Sequence, residues 1–131
     1  MLNRIKNLTL GDIDFAFETT LATKTYLQFI KEAQSKNYFV TLVFLWLNSV
    51  ELAVERVRTR VESGGHNIPE ETIRRRYQAG INNLSKLYMP VCDYWVLIDN
   101  SEVPPSIIAE GSKNGEIKVH NNFNYKQIIK P

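Results

Sequence analysis

The sequence predicts an α/β fold, a mainly parallel sheet with flanking helices, and three observations predict it. Apolar runs of strand length, above all Tyr38–Leu47 and Tyr94–Ile98, alternate with stretches whose apolar residues recur at helical spacing. The intervening helices are long enough for right-handed crossovers between parallel strands. Tyr38–Leu47 (YFVTLVFLWL) is almost continuously apolar and rich in β-branched and aromatic residues, as a strand covered on both faces would be.

Each element has its own justification. Asp14–Phe17 reads as a short buried strand ending at Glu18-Thr19-Thr20. In Leu21–Ser35 the apolar positions Tyr26, Leu27, Ile30 and Ala33 have helical spacing. Asn48 offers an N-cap, with Glu51 three residues later as in a capping box. Val50, Ala53, Val54, Val57 and Val61 form one face of the helix that follows, and Gly64-Gly65 ends it. Pro69, Glu70 and Glu71 suit the first turn of another helix, whose stripe is Ile73, Tyr77, Ile81, Leu84 and Tyr88. Pro90 marks its exit. Asp99-Asn100-Ser101 closes the strand Tyr94–Ile98. Ile107–Glu110 and Glu116–His120 pair as a hairpin across Gly111–Gly115, and Phe123–Ile129 makes a closing helix.

The chain has 131 residues, enough for a single domain (1–131) with a moderate core. An apolar fraction of 44% with 23% charged residues is ordinary for a globular protein. Net charge is only +2, so basic chemistry must come from local clustering. The single cysteine, Cys92, excludes an internal disulfide, and two distant histidines give no metal motif. There is no signal peptide, and the ten-residue run Tyr38–Leu47 cannot span a bilayer, so a cytoplasmic location is expected.

The clustering lies in Arg56–Tyr77 (RVRTRVESGGHNIPEETIRRRY). Arg56, Arg58 and Arg60 approach the Gly64-Gly65-His66 joint from one side, and Arg74, Arg75 and Arg76 from the other. Such guanidinium groups suit phosphates; they equally suit solvated helix faces. Glu71 sits four residues before Arg75, which assigns that arginine to a surface pair and leaves Arg74 and Arg76 freer. In open parallel sheets ligands bind beyond the carboxyl ends of the strands. Glu18-Thr19-Thr20, Asn48 and Asp99-Asn100 fall at such ends. Glu18 could hold a substrate hydroxyl or organise a metal, or it could cap a turn. His66 could touch a ligand or be polar surface. Arg74–Arg76 alone, without interleaved aromatics or a recognised module, disfavours nucleic-acid binding.

Together these residues resemble the zeta-toxin-like kinases, P-loop proteins that include toxins phosphorylating a UDP-amino sugar. The matching pieces are Phe15-Ala16-Phe17-Glu18-Thr19-Thr20-Leu21, Arg56-Val57, Gly64-Gly65-His66 with Pro69-Glu70, Arg74-Arg75-Arg76-Tyr77 and Asp99-Asn100-Ser101. The resemblance covers residues 12–110 and leaves 111–131 as a variable carboxyl-terminal tail. It implies an incomplete P-loop kinase-like fold with a helical lid. Arg60 and one of Arg74 or Arg76 would be catalytic, neutralising the transferring phosphoryl group. Glu18, Thr20 and His66 would lie on the acceptor-substrate side, and Asp99, Asn100 and Ser101 near the nucleotide base. ATP or GTP with Mg²⁺ would be the cofactor, and a small-molecule or nucleotide-sugar hydroxyl the acceptor.

One departure is large: none of the six glycines opens a GxxxxGK[ST] loop. The family's phosphate loop, its lysine and the base-bearing strand would lie before residue 1. In that family the strand preceding the loop sits between those equivalent to Asp14–Phe17 and Tyr38–Leu47. Its place would be closed by the sheet itself, by a second copy in a homodimer, or by a complementing N-terminal polypeptide. The chain alone is therefore expected to lack kinase activity. The competing reading is a non-catalytic nucleotide-binding or protein-interaction module derived from such a kinase.

Overall fold

A computed structural model describes residues 14–19 and 21–129. In chain order these form α1 (Tyr26–Ser35), β1 (Thr41–Trp46), α2 (Val50–Glu62) and α3 (Glu70–Asn83), which continues into a π-helical turn, Leu84–Tyr88. Then come β2 (Tyr94–Asp99), β3 (Ser106–Ser112), β4 (Ile117–Val119) and α4 (Asn122–Ile128). The α/β class holds, but the sheet is not mainly parallel. Its order is β1-β2-β3-β4; β1 and β2 run parallel, while β2–β3 and β3–β4 are antiparallel. A parallel return needs a crossover of about a dozen residues or more. Only residues 100–105 separate β2 from β3, so the chain must double back.

Asp14–Phe17 forms no strand. Asp14, Ala16, Phe17 and Glu18 are exposed, and the aromatics lean on other elements instead of a ladder. The Phe15 ring meets Tyr38 edge-on at 5.8 Å, and Phe17 packs on Tyr26 at 5.0 Å. The outer edge of β1 therefore has no strand partner among the described residues. Coverage of β1 on both faces also fails. Leu42, Phe44 and Trp46 face the core, whereas Val43 and Leu45 are 54% and 57% exposed.

The main core cluster lies on one face of the sheet. Trp46, Trp95, Leu97 and Ile108 meet Leu84 and Tyr88 of the π-helical turn and Ile128 of α4, with Leu27 and Ile30 of α1 at the margin. Tyr88, Leu84, Leu97, Ile108 and Ile128 are essentially solvent-free, each contributing about 1.5–3 kcal/mol of burial. Ile108 reaches this core through a bulge. The register slips between Leu97 and Ile98, and the Ile108 carbonyl accepts the His120 and Asn121 N–H groups at 2.8 and 3.0 Å. Cys92 is buried nearby, and burial pushes its thiol up to about 11.

Local signals explain the helix ends. Ser49, one residue beyond the expected Asn48, caps α2 by accepting the Leu52 N–H at 3.2 Å. At the other end the Gly64 N–H donates to the Val61 carbonyl at 3.0 Å and the Gly65 N–H to the Arg60 carbonyl at 2.7 Å. With Gly64 at φ +95°, this is a Schellman cap. A Cβ on Gly65 would sit 2.9 Å from the Arg60 oxygen, so both glycines are required and the joint is a closed turn. Asp93 fastens the start of β1. Its carboxylate accepts the Val40 N–H at 2.8 Å and the Gln34 side chain at 3.2 Å, and lies 3.6 Å from Lys113.

Candidate functional site

The carboxyl ends of β1 and β2 lie side by side, because Trp46 and Asp99 are register partners. The loops leaving them are laced together. The Asn100 N–H donates to the Trp46 carbonyl at 2.8 Å, and the Asn48 N–H to the Ser101 hydroxyl oxygen at 2.9 Å. Asp99 receives the Ser101 N–H on one oxygen at 3.0 Å and the Asn124 amide on the other at 3.4 Å. Arg56, half-buried in α2, donates to the Ser101 carbonyl at 3.2 Å. Asp99 and Ser101 thus serve first as a clasp. The Asn100 side chain makes no hydrogen bond among the described residues.

The helical hairpin α2–α3 rises from this end, and its arginines divide by partner. Arg74 donates from Nε to Glu70 at 3.1 Å and from Nη1 to Glu51 at 3.3 Å; Arg58 reaches Glu70 at 4.0 Å. The ion pair along α3 is therefore Glu70–Arg74 and not Glu71–Arg75. The Glu70 and Glu51 carboxylates raise the Arg74 pKa above its ordinary value. Glu51 is held below the usual carboxylate range by its own backbone N–H and by Arg74. Arg74, which the spacing left free, is the hairpin's brace. Arg60, in the last turn of α2, and Arg76 are exposed and make no ion pair among the described residues. Arg76 lies about 200° around the helix from Arg74, so the two cannot face one phosphate from the same side. His66 is exposed on the segment joining the helices and touches no described polar partner.

A zeta-toxin family model matches residues 5–121 of this chain. The chain belongs to the zeta-toxin family. That membership suggests a kinase-like or toxin-like function, and the match runs past β4. An uncharacterised protein of Haemophilus influenzae (strain ATCC 51907 / DSM 11121 / KW20 / Rd) is 37% identical over 65 residues, 50% of this chain and 46% of that protein. The chain thus spans just under half the length of that curated relative. No solved structure matches significantly.

On the acceptor side of the zeta-toxin pattern, Glu18 is exposed and Thr20 lies outside the described residues. The turn after them is tightly held. Leu21 is 3% exposed yet adopts φ +59°, a left-handed conformation costly for a branched side chain. Its N–H donates to the Thr19 hydroxyl at 3.3 Å, and its carbonyl accepts the Asn83 amide at 2.7 Å. The Tyr88 hydroxyl donates to the Thr23 carbonyl at 2.7 Å. Asn83 and Tyr88 therefore fasten the Leu21–Thr23 segment to the end of α3 and the π-helical turn. Sequence reading missed Asn83 and the tyrosine hydroxyls, and it set Arg56 toward the Gly64-Gly65 joint, whereas its guanidinium donates to the Ser101 carbonyl. The signal for the tyrosines was present, since a tyrosine on a buried stripe needs a partner for its O–H. Tyr77 obeys the same rule, donating to the Leu47 carbonyl at 2.6 Å, and burial raises its pKa.

No group of three or more His, Cys, Asp or Glu able to hold a metal occurs among the described residues. No described helix is long and apolar enough to cross a membrane.

Proposed function

We propose that this chain is the lid-and-acceptor portion of a zeta-toxin-like phosphotransferase. It works only together with a segment, in the same or a partner polypeptide, that supplies the phosphate-binding glycine loop. The observation that carries this reading is the braced hairpin α2–α3, where Glu51–Arg74–Glu70 sets the frame and Arg60 and Arg76 remain unspent. Unpaired guanidinium groups suit the charge spread over a transferring phosphoryl group. The acceptor would be a hydroxyl on a small molecule or nucleotide sugar near Glu18 and Thr20, with His66 in the lid. Asn100, between the clasp residues Asp99 and Ser101, would meet the nucleotide base. ATP or GTP with its Mg²⁺ would be held chiefly by that segment.

The β1 edge favours such a segment. The Val40 and Trp46 carbonyls both point to the β2 side, accepting from Asp93, Tyr94 and Asn100. With a period of two, the N–H and C=O groups of Thr41, Val43 and Leu45 point to the open edge. Val43, Leu45 and Ile107 are exposed together on one sheet face, which no described helix covers at those positions. A strand followed by a helix covers edge and face together; a second copy paired edge to edge leaves the face bare.

The test is nucleotide turnover and acceptor phosphorylation by the chain alone and with a polypeptide bearing a strand, a GxxxxGK[ST] loop and a helix. The expected result is activity only in the mixture, reduced about a hundredfold or more by Arg60→Ala or Arg76→Ala. Robust turnover by the chain alone would overturn the proposal. So would a stable homodimer that refuses the added segment, which favours the interaction-module reading instead.

A further inference from the structure

A cavity of about 310 Å³ opens at the carboxyl end of β1, beside the clasp but lined by different side chains. Its apolar lining residues Trp46 and Ile128 are 3% and 1% exposed, so what it presents to a ligand is mainly polar. Its rim is polar, with the amides of Asn48, Gln78, Asn82 and Gln127 and the hydroxyl of Ser85. The only charged residue in the lining is Lys86. No carboxylate takes part. Some of the polar groups are already used: Gln78 donates to Asn82 at 3.2 Å, which leaves the Asn82 N–H₂ and the Gln78 carbonyl oxygen oriented by the pair yet available. Asn48 and Gln127 have no side-chain hydrogen bond among the described residues.

The volume is at the small end of ligand pockets. It suits a molecule the size of one sugar ring rather than a nucleotide. Amides present donors and acceptors in fixed pairs, the complement of vicinal hydroxyls that both donate and accept. A lone lysine in an otherwise uncharged lining suits one negative charge. Ser49 and Val50, the first residues of α2, also line the cavity, and the positive end of that helix favours the same sign. From this combination we infer that the cavity binds a monosaccharide-sized polyhydroxylated anion, with Lys86 on the anionic group and Asn82, Gln78 and Gln127 on the hydroxyls. This site involves none of the lid arginines and does not depend on the phosphotransferase reading.

Titration of the ¹⁵N-labelled chain with glucose 6-phosphate, glucose and inorganic phosphate, followed by NMR, tests it. Saturable shifts are expected at the Trp46 indole N–H and the Gln127 side-chain amide. Glucose 6-phosphate should bind about tenfold more tightly than either glucose or phosphate alone, and Lys86→Gln should erase its advantage over glucose. Lys86 is exposed, so this variant keeps the fold, which the unchanged spectrum away from the cavity verifies. Three outcomes would overturn the inference: no shifts at the cavity with any probe, equal affinity for glucose and glucose 6-phosphate, or a preference that survives in Lys86→Gln. Binding needs no phosphoryl transfer to be seen, so failure here leaves the proposed function standing, and the reverse.

Discussion

The two edges of the sheet are built in opposite ways. β4 is three residues long, carries Lys118 at its centre and runs straight into the cap of α4, where Asn121 accepts the Asn124 N–H at 3.0 Å. Short strands, lysine and a covering element are how natural sheets blunt an edge. β1 is six residues of TLVFLW with no charge and no proline, and Val43 and Leu45 stand in solvent beside it. One edge is finished, and the other has no strand partner among the described residues. Under the proposed function β1 is the side on which the strand preceding the phosphate loop would pair.

The largest break of this comparison comes from beneath both edges. Leu84 of the π-helical turn is fully buried against the sheet, and Leu84→Ala should cost about 3 kcal/mol in denaturant unfolding. Both edges should lose protection from hydrogen exchange together. Protection lost at β1 alone would show that the edges belong to separate cooperative units.

Next in size is Asp93, which holds the start of β1 through Val40 and reaches across to Lys113 in the turn between β3 and β4. Asp93→Asn should cost about 2 kcal/mol, as loss of a charge-assisted hydrogen bond does. The pH sign follows from the direction of the shift. The Val40 N–H, and after it Gln34 and Lys113, hold the folded carboxyl below its unfolded value, with burial opposing. Its contribution is therefore full above the unfolded value, near 3.9, and disappears as pH falls through the lower folded value. Acid unfolding of the variant should be less steep there. An identical acid profile would show that the Asp93 carboxylate contributes nothing.

Tyr77 closes the other end of β1. Tyr77→Phe should cost about 1 kcal/mol, because the Leu47 carbonyl loses its donor. Slower exchange at the β1 termini would contradict the role.

How much of this was legible varies by region, for physical reasons. From Val50 to Asp99 the periodicity, the Gly-Gly stop and the Pro-Glu-Glu start found each element to within a few residues, because local rules decide them. The hairpin Ser106–Val119 was legible from its turn for the same reason. Asp14–Phe17 and the covering of β1 were misread. Strand formation there depends on a neighbour, and a run of apolar residues records the environment the strand is built for. Sheet direction was misread because one short connection, residues 100–105, outweighs the rhythm of the elements before it. The arginine assignments failed at Arg74: its Glu70 partner has the same i,i+4 spacing that was credited to Glu71 and Arg75, and its second partner, Glu51, lies 23 residues away where no local spacing reveals it.

The smallest stability effect sharpens the comparison most. Leu45→Lys on β1 and Val119→Lys on β4 each place a charge on an exposed position, 57% and 41% accessible. Each should shift the stability of the isolated chain by no more than about 0.5 kcal/mol. They should differ in association. Self-association by the free edge, read by sedimentation at rising concentration, should fall severalfold with Leu45→Lys and stay unchanged with Val119→Lys, and only the first should abolish capture of the loop-bearing partner. The reason lies in geometry. Leu45 combines outward-pointing backbone groups with an apolar side chain on the bare face, so one ammonium there must be desolvated by any incoming strand and its helix. Val119 sits on a strand that Lys118 already guards, and a second cation adds little. Equal effects at the two positions would mean that general surface hydrophobicity, and not the open edge of β1, governs assembly.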